Sequence, residues 1–253
     1  MEQLYGEIID FIVASGKRLK LSAGKVADIG VTKKYLTEED LNVERGLKEI
    51  IKKYDSRHEF FAEEENDNFF NAENVWAADP ISGTHNFIQG EPHYAIVISH
   101  LVKHQAVFAA VYDPSVDELF TAELGKGSFK NGRPIGVSRK SKKNIILRPS
   151  MNWPRPEVIQ RMSKFLETSK IETNRYSIAL NECWVAEGRF DGIAEFTKDA
   201  FPEYAGGLII REAGGAFTNL DGLSDISPTD KIFIGGNETS YKMLLPLVRQ
   251  AAK

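Results

Sequence analysis

One carboxylate in this sequence stands where an apolar strand meets a glycine turn. Residues 75–78 form an apolar run of strand length, Asp79 follows it directly, and Gly83 and Thr84 then turn the chain into a predicted helix start. A carboxylate oxygen is a donor that Mg²⁺ prefers, and amides released at such a turn attract a phosphate. The stretch can therefore gather a cation and a phosphate, although a strand followed by a tight turn with a capping aspartate fits it equally well.

Two further segments carry acidic residues of the right type for such a site. Asp40 falls in the first turn of a helix that the Thr37 hydroxyl caps, where an acid facing the helix dipole is the ordinary explanation. An apolar pair at residues 60–61 runs into Glu63 and Glu64. A strand ending there would place both carboxylates at one point, while a solvated acidic loop fits the same residues.

Composition limits the classes of protein to which this chain can belong. The chain has 253 residues, 42% of them hydrophobic and 27% charged, which is ordinary for a globular protein. A net charge of −4 disfavours nucleic acid or anionic membrane as a bulk partner. The N-terminus lacks a basic leader, no apolar run reaches membrane-spanning length, and the single cysteine, Cys183, permits no intrachain disulfide. We expect a cytoplasmic enzyme in which Cys183 is a buried apolar residue rather than a nucleophile.

Apolar periodicity predicts the elements that must position the acids. Six predicted helices and a set of strands alternate along the chain without a linker, so we expect one domain, 1–253, with an N-terminal half at about 1–143 and a C-terminal half at about 144–253. The predicted helices are 2–21, one beginning after Thr37 and running to 54, 158–166, 177–187, 205–213 and 241–251. The predicted strands are 75–78, 95–98, 106–112, 118–122, 145–147, 190–196 and 231–237.

The motif at 79–84 identifies a family. It reads Asp-Pro-Ile-Ser-Gly-Thr and resembles the Asp-Pro-Ile-Asp-Gly-Thr signature of the inositol monophosphatase family, Mg²⁺-dependent and Li⁺-sensitive phosphatases. Residues 36–44, 60–64 and 125–132 resemble further motifs of that family in the same order. The resemblance covers nearly the whole chain. It implies a layered α/β/α/β/α sandwich of the inositol monophosphatase and fructose-1,6-bisphosphatase type, usually a homodimer.

The resemblance also assigns metal ligands. It implies that Glu63, Asp79 and the carbonyl of Ile81 hold a first Mg²⁺, and that Glu64 supports Glu63 from behind. Hard oxygen donors of this kind leave room for the water molecules that Mg²⁺ keeps.

The same resemblance implies roles at the reacting phosphate. Asp40 and Thr84 would orient the attacking water, and the amides of Gly83 and Thr84 would hold the phosphate. Glu195 fits the position that hydrogen-bonds hydroxyl groups of the substrate's ring. An exposed acid at a strand edge is the alternative explanation for Glu195.

The chain departs from the family pattern around a second metal. Ser82 stands where the family has a second metal-binding aspartate, and Lys34 stands where an aspartate is usual. At 202–207, Glu203 aligns with the aspartate of Trp-Asp-x-Ala-Ala-Gly, and Pro202 replaces the tryptophan. Asp199 is a less favoured substitute ligand. Exchanging a carboxylate for a hydroxyl beside a divalent ion should weaken metal binding by roughly 10² to 10³.

Three functions follow from this pattern. The first is a Mg²⁺-dependent hydrolase of a small phosphomonoester such as inositol monophosphate, working with a weak second metal. The second is a relative with impaired catalysis that serves as a binding or regulatory protein. The third is a phosphatase for another substrate, such as a nucleotide 3′-phosphate or histidinol phosphate. The expected partners are a small phosphorylated substrate and a second copy of the chain, with no nucleic acid and no membrane.

Overall fold

A computed structural model describes residues 1–31, 35–62, 72–139, 144–148, 170–172, 176–197 and 201–252, with the backbone alone at 147–148 and 170–172. Several predicted features lie outside these residues. They are Lys34, Glu63, Glu64, Asp199 and the helix at 158–166.

Six helices and twelve strands occur in the described part of the chain. The helices are α1 (Glu2–Ser22), α2 (Glu38–Tyr54), α3 (Thr84–Gln89), α4 (Ile178–Ala186), α5 (Phe201–Glu212) and α6 (Glu238–Ala251). The first seven strands are β1 (Glu59–Ala62), β2 (Asn74–Ser82), β3 (Ala95–Val102), β4 (Gln105–Asp113), β5 (Glu118–Glu123), β6 (Gly127–Lys130) and β7 (Arg133–Pro134). The remaining five are β8 (Asn144–Arg148), β9 (Lys170–Glu172), β10 (Gly192–Phe196), β11 (Ala216–Asn219) and β12 (Ile232–Gly236).

The strands form two sheets, one from each half of the chain. The first sheet has the order β1-β2-β3-β4-β5-β6-β7 and is antiparallel except for the β1–β2 pair. The second has the order β11-β12-β10-β8-β9, with β10, β8 and β9 parallel. The predicted hairpin of β3 and β4 is confirmed.

Three hydrophobic clusters stack these elements into five layers, α/β/α/β/α. The first cluster joins α1 and α2 to one face of the first sheet through Ile12, Leu47 and Phe108. The second fills the space between the two sheets, where α4 and α5 lie and where Cys183 is buried as predicted. The third packs α6, through Leu244, onto the outer face of the second sheet. The predicted layered α/β class is therefore confirmed.

Two element boundaries were wrongly predicted at the motifs themselves. Strand β2 does not stop at Asp79 but continues to Ser82, because the pairing with β3 shifts between these residues and the bulge accommodates Pro80. Helix α5 begins at Phe201 rather than at residue 205, so Glu203 lies inside its first turn.

The apolar residues of β3 and β4 give no support for a dimer interface. Their side chains are buried within the chain, between α1 and α2 on one face and α4 and α5 on the other. The expected homodimer stays a prediction, which light scattering at micromolar concentration would check. Within the described residues, no helix is both long and apolar enough to cross a membrane.

Candidate active site

Thr84 connects the start of α2 to the end of β2. Its hydroxyl donates a 2.7 Å hydrogen bond to the carbonyl of Ile81 and lies 3.5 Å from Oδ1 of Asp40. The other carboxylate oxygen of Asp40 accepts from the Thr37 amide at 2.8 Å and from the Thr37 hydroxyl at 2.5 Å. This reciprocal capping box fixes the buried Asp40 in one orientation. Asp40 therefore both caps its helix and faces Thr84, so the two explanations of this acid are compatible.

Asp79 lies on the face of β2 that is turned toward the second sheet. Val75 and Ala77 belong to the cluster between the sheets, and Asp79 continues their alternation with a side chain that is only 4% exposed. Its neighbour along the strand end is the Ile81 carbonyl. Both groups offer oxygen, the donor that Mg²⁺ prefers, so the residues present fit that ion.

Ser82 joins the two halves of the chain. Its hydroxyl accepts a 2.8 Å hydrogen bond from the hydroxyl of Ser177, the residue that caps α4. Gly83 follows with a positive φ of 85°, and a Cβ at this position would lie 3.3 Å from the Ser177 amide. Glycine is thus required both by the turn and by the close approach of the second half. The role of Ser177 was missed from the sequence, where its only signal was a serine at the start of a predicted helix.

Three glutamates form a buried cluster on the C-terminal side. Glu182 of α4, Glu195 of β10 and Glu203 of α5 are all fully buried. Burial, repulsion from Glu195 and Glu203, and a hydrogen bond with Glu195 raise the pKa of Glu182 well above its usual value. Gly206 permits this arrangement, because a Cβ there would lie 1.8 Å from an oxygen of Glu182.

The burial of Glu195 excludes one of the two explanations that the sequence offers for this residue. Strand β10 is the middle strand of the second sheet, flanked by β12 and β8, so Glu195 is not an exposed acid at a strand edge. Glu182 was missed by sequence reasoning, although a glutamate among the apolar residues of α4 was an available signal.

Apart from Asp79, the predicted site residues that the structure describes fall into three groups. In the first, Thr84 contacts both Asp40 and Ile81, and in the second, Ser82 and Gly83 contact Ser177. The third comprises Glu195 and Glu203, which meet at Glu182. Glu63, Glu64 and Asp199 lie outside the described residues. Within those residues, no three acidic, histidine or cysteine side chains form a cluster that could hold a metal ion.

Comparison with known proteins identifies relatives over the full length of the chain. The family model described as the inositol monophosphatase family matches residues 5–253. An inositol-1-monophosphatase of Rhizobium meliloti is 31% identical, over 98% of this chain and 96% of its own. A Nus factor SuhB of Pseudomonas aeruginosa is 30% identical, over 86% of this chain and 83% of its own.

A solved structure shows the same fold. The IMPase of Thermotoga maritima superposes with a TM-score of 0.85 at 25% identity, covering 99% of this chain and 98% of the other. The five-layer arrangement described above is therefore that of a known phosphatase fold.

Proposed function

This chain belongs to the inositol monophosphatase family of phosphatases, and we propose that it is a Mg²⁺-dependent phosphomonoesterase acting on a small substrate such as inositol monophosphate. The observation that supports this function best is the contact between Asp40, Thr84 and the Ile81 carbonyl. These groups come from two segments that are distant in sequence, and they meet where the family motif ends. Such convergence of polar groups is expected of a site that orients a reactant.

Asp40 and Thr84 position the attacking water in this proposal. Thr37 holds one oxygen of the Asp40 carboxylate, so the other is directed at Thr84. The Thr84 hydroxyl donates its hydrogen bond to the Ile81 carbonyl, so the lone pairs of the Thr84 oxygen remain able to accept a hydrogen bond from a water. A water between Thr84 and Asp40 would be aligned by both, and Asp40 would take its proton.

The phosphate and the cation would lie beside this pair. The amides of Gly83 and Thr84 would hold phosphate oxygens, and the Thr84 amide, in the first turn of α3, has no acceptor within its helix. Asp79, the Ile81 carbonyl and the predicted ligand Glu63 would hold Mg²⁺. When bound, this ion supplies positive charge that stabilises the phosphoryl group during transfer.

The C-terminal side of the site would bind the substrate's ring and a second cation. Glu195 is proposed to accept from ring hydroxyls, and Glu203 is proposed to take part in the second metal site with Asp79 and Ser82. Ser82 is uncharged, so that site has one negative charge fewer. We propose that the second Mg²⁺ binds weakly until the substrate's phosphate supplies the missing charge.

Phosphate release measured against Mg²⁺ concentration tests the function. The wild type should release phosphate from inositol monophosphate in a Mg²⁺-dependent manner, and Asp79→Asn should reduce turnover to background because it removes a ligand shared by both metals. A nucleotide 3′-phosphate and histidinol phosphate, assayed in parallel, distinguish the substrates. Absence of release from all three at tens of millimolar Mg²⁺ would contradict the proposal.

A regulatory role is the second candidate. Ser82 lacks the charge of a metal-binding aspartate, and the 30% identical Pseudomonas aeruginosa relative is named a Nus factor. Under this alternative, turnover would stay at background even in Ser82→Asp, while the fold would be intact by circular dichroism. Restored turnover in Ser82→Asp would instead support the phosphatase.

A further inference from the structure

A second pocket lies at the far end of the first sheet from the candidate active site. It has a volume of about 320 Å³, within the range of small-molecule sites. The turn between β3 and β4 contributes Lys103 and His104, and α5 contributes Arg211. Because β3 runs antiparallel to β2, this turn meets the start of β2 at Asn74, roughly 25 Å from Ser82.

Arg211 makes this pocket electrostatically unusual. Its side chain is half-buried, and within the described residues its guanidinium takes part in no hydrogen bond or ion pair. Burial lowers its pKa, and the nearby charges of Glu212, Glu182 and Asp225 only oppose that effect. A partly buried guanidinium that faces a pocket without a protein hydrogen-bond acceptor is open to an anion, and an oxyanion with paired oxygens matches its planar donors.

The nearest acid in sequence is engaged elsewhere. The two oxygens of Glu212 accept hydrogen bonds of 2.9 Å from the amides of Gly125 and Gly127. That carboxylate therefore holds the turn before β6, and it acts on Arg211 through its charge without a hydrogen bond to it.

The turn that carries Lys103 and His104 has a backbone conformation that is unfavourable for these residue types. Both residues have positive φ, 50° and 68°, where hairpin turns usually place asparagine and glycine. Lys103 pairs with Glu73 at 3.4 Å, but both side chains are largely exposed, so the pair holds the ammonium only weakly. Two side chains that suit an anion thus occupy positions that the turn alone would give to other residues.

The remaining lining residues indicate what else the ligand carries. Asp225, Ser224 and Gln105 are exposed at the pocket and offer acceptors and donors for hydroxyl groups. With Lys103, Arg211 and Asp225 charged, the lining has a net charge of about +1 before any contribution from His104. An anion with attached hydroxyl groups fits both the cationic side chains and the uncharged or acidic polar side chains of this pocket.

We propose that this pocket is a second ligand site, which binds the phosphoryl oxyanion of a small hydroxylated metabolite through Arg211 and Lys103. The site is independent of the active site and of Mg²⁺, so it stands or falls separately from the proposed phosphatase function.

Ligand binding measured in the absence of metal tests this pocket separately from the candidate active site. Inorganic phosphate and glycerol 2-phosphate are titrated into the protein in EDTA, and the imidazole proton signal of His104 is followed by NMR, assigned with His104→Gln. Both anions should shift this signal saturably, with a dissociation constant of about 1 mM. Tighter binding of glycerol 2-phosphate would indicate a metabolite, and equal binding would indicate recognition of the oxyanion alone.

Matched variants test which residues of the pocket bind the anion. Arg211→Gln should weaken binding by about 10-fold or more, and Lys103→Gln by about 3-fold, as expected for lost charged hydrogen bonds. Lys53→Gln is the control, because Lys53 is likewise an exposed lysine paired with a glutamate, Glu7 at 3.2 Å, and should leave binding unchanged. The absence of a saturable shift in the wild type overturns the proposal. So does binding that Lys103→Gln leaves unchanged, a test that holds even if Arg211→Gln fails to fold.

Discussion

The two sides of the candidate active site are built in different ways. On the N-terminal side, a capping box holds Asp40 and a turn holds Thr84 against the Ile81 carbonyl, which places the Thr84 hydroxyl 3.5 Å from Asp40. On the C-terminal side, Glu195 and Glu203 are brought by packing against Glu182 into a fully buried acidic cluster. The first side consists of local devices with recognisable sequence patterns, whereas the second exists only after two helices and a strand have packed. The departures from the family pattern at Ser82 and Glu203 concern this second side.

Removing the Thr84 hydroxyl should strongly reduce turnover. Thr84→Ala deletes the group that lies between Asp40 and the Ile81 carbonyl, so kcat should fall by about 10² to 10³, the range for a lost proton-positioning group. Thr84→Ser keeps the hydroxyl and should retain most activity. Steady-state kinetics with inositol monophosphate compare the two. Equal kcat values for Thr84→Ala and wild type would show that the N-terminal side does not orient the water.

A buried histidine shows how the N-terminal half satisfies its polar groups. His100 lies 3.0 Å from the Tyr5 hydroxyl through Nδ1 and 3.2 Å from the Asn74 side-chain oxygen through Nε2, so a neutral ring would accept from Tyr5 and donate to Asn74. Burial, with lesser repulsion from His58 and the N-terminus, lowers its pKa to about 4. Its folded pKa is below the unfolded value, so the stability it contributes is present above pH 6.5 and is lost as the pH falls through about 4.

The complete loss should lower the free energy of unfolding by about 3 kcal/mol, since each pKa unit corresponds to about 1.4 kcal/mol. Urea unfolding at pH 7 and pH 4.5 should show a smaller decline in His100→Gln than in wild type, because glutamine keeps both hydrogen-bonding roles without titrating. Equal declines in the two proteins would mean that His100 is not responsible for the acid sensitivity.

A substitution that adds a methyl group tests the close packing on the C-terminal side. Gly206→Ala places a Cβ against Glu182 and should destabilise the protein by about 2 kcal/mol, the usual cost of overpacking. Adding Glu182→Ala should recover part of this loss, because it removes the obstructing side chain. Gly6→Ala in α1 is the control, since nothing lies within 4 Å of its added Cβ, and it should stabilise by about 0.5 to 1 kcal/mol. Chemical denaturation measures all four proteins; an undisturbed Gly206→Ala would show that the cluster is not tightly packed.

The same contrast explains what could be predicted from the sequence. The helix start at Thr37 and the Gly83 turn were readable because neighbouring residues determine their geometry. The contact of Ser82 with Ser177 and the burial of Glu182 were not, because each depends on residues that are distant in sequence. The boundary at Asp79 was predicted too early, since the proline that ordinarily ends a strand occupies a bulge here.

We propose that the N-terminal side supplies the first metal site and that Ser82 limits the second. Counting bound Mn²⁺, a spectroscopic substitute for Mg²⁺, by electron paramagnetic resonance tests it most directly. The free wild type should bind one ion per chain and Ser82→Asp should bind two, while Ser82→Ala, which loses only the Ser177 hydrogen bond, should still bind one. Two ions in the free wild type, or one in Ser82→Asp, would contradict the account.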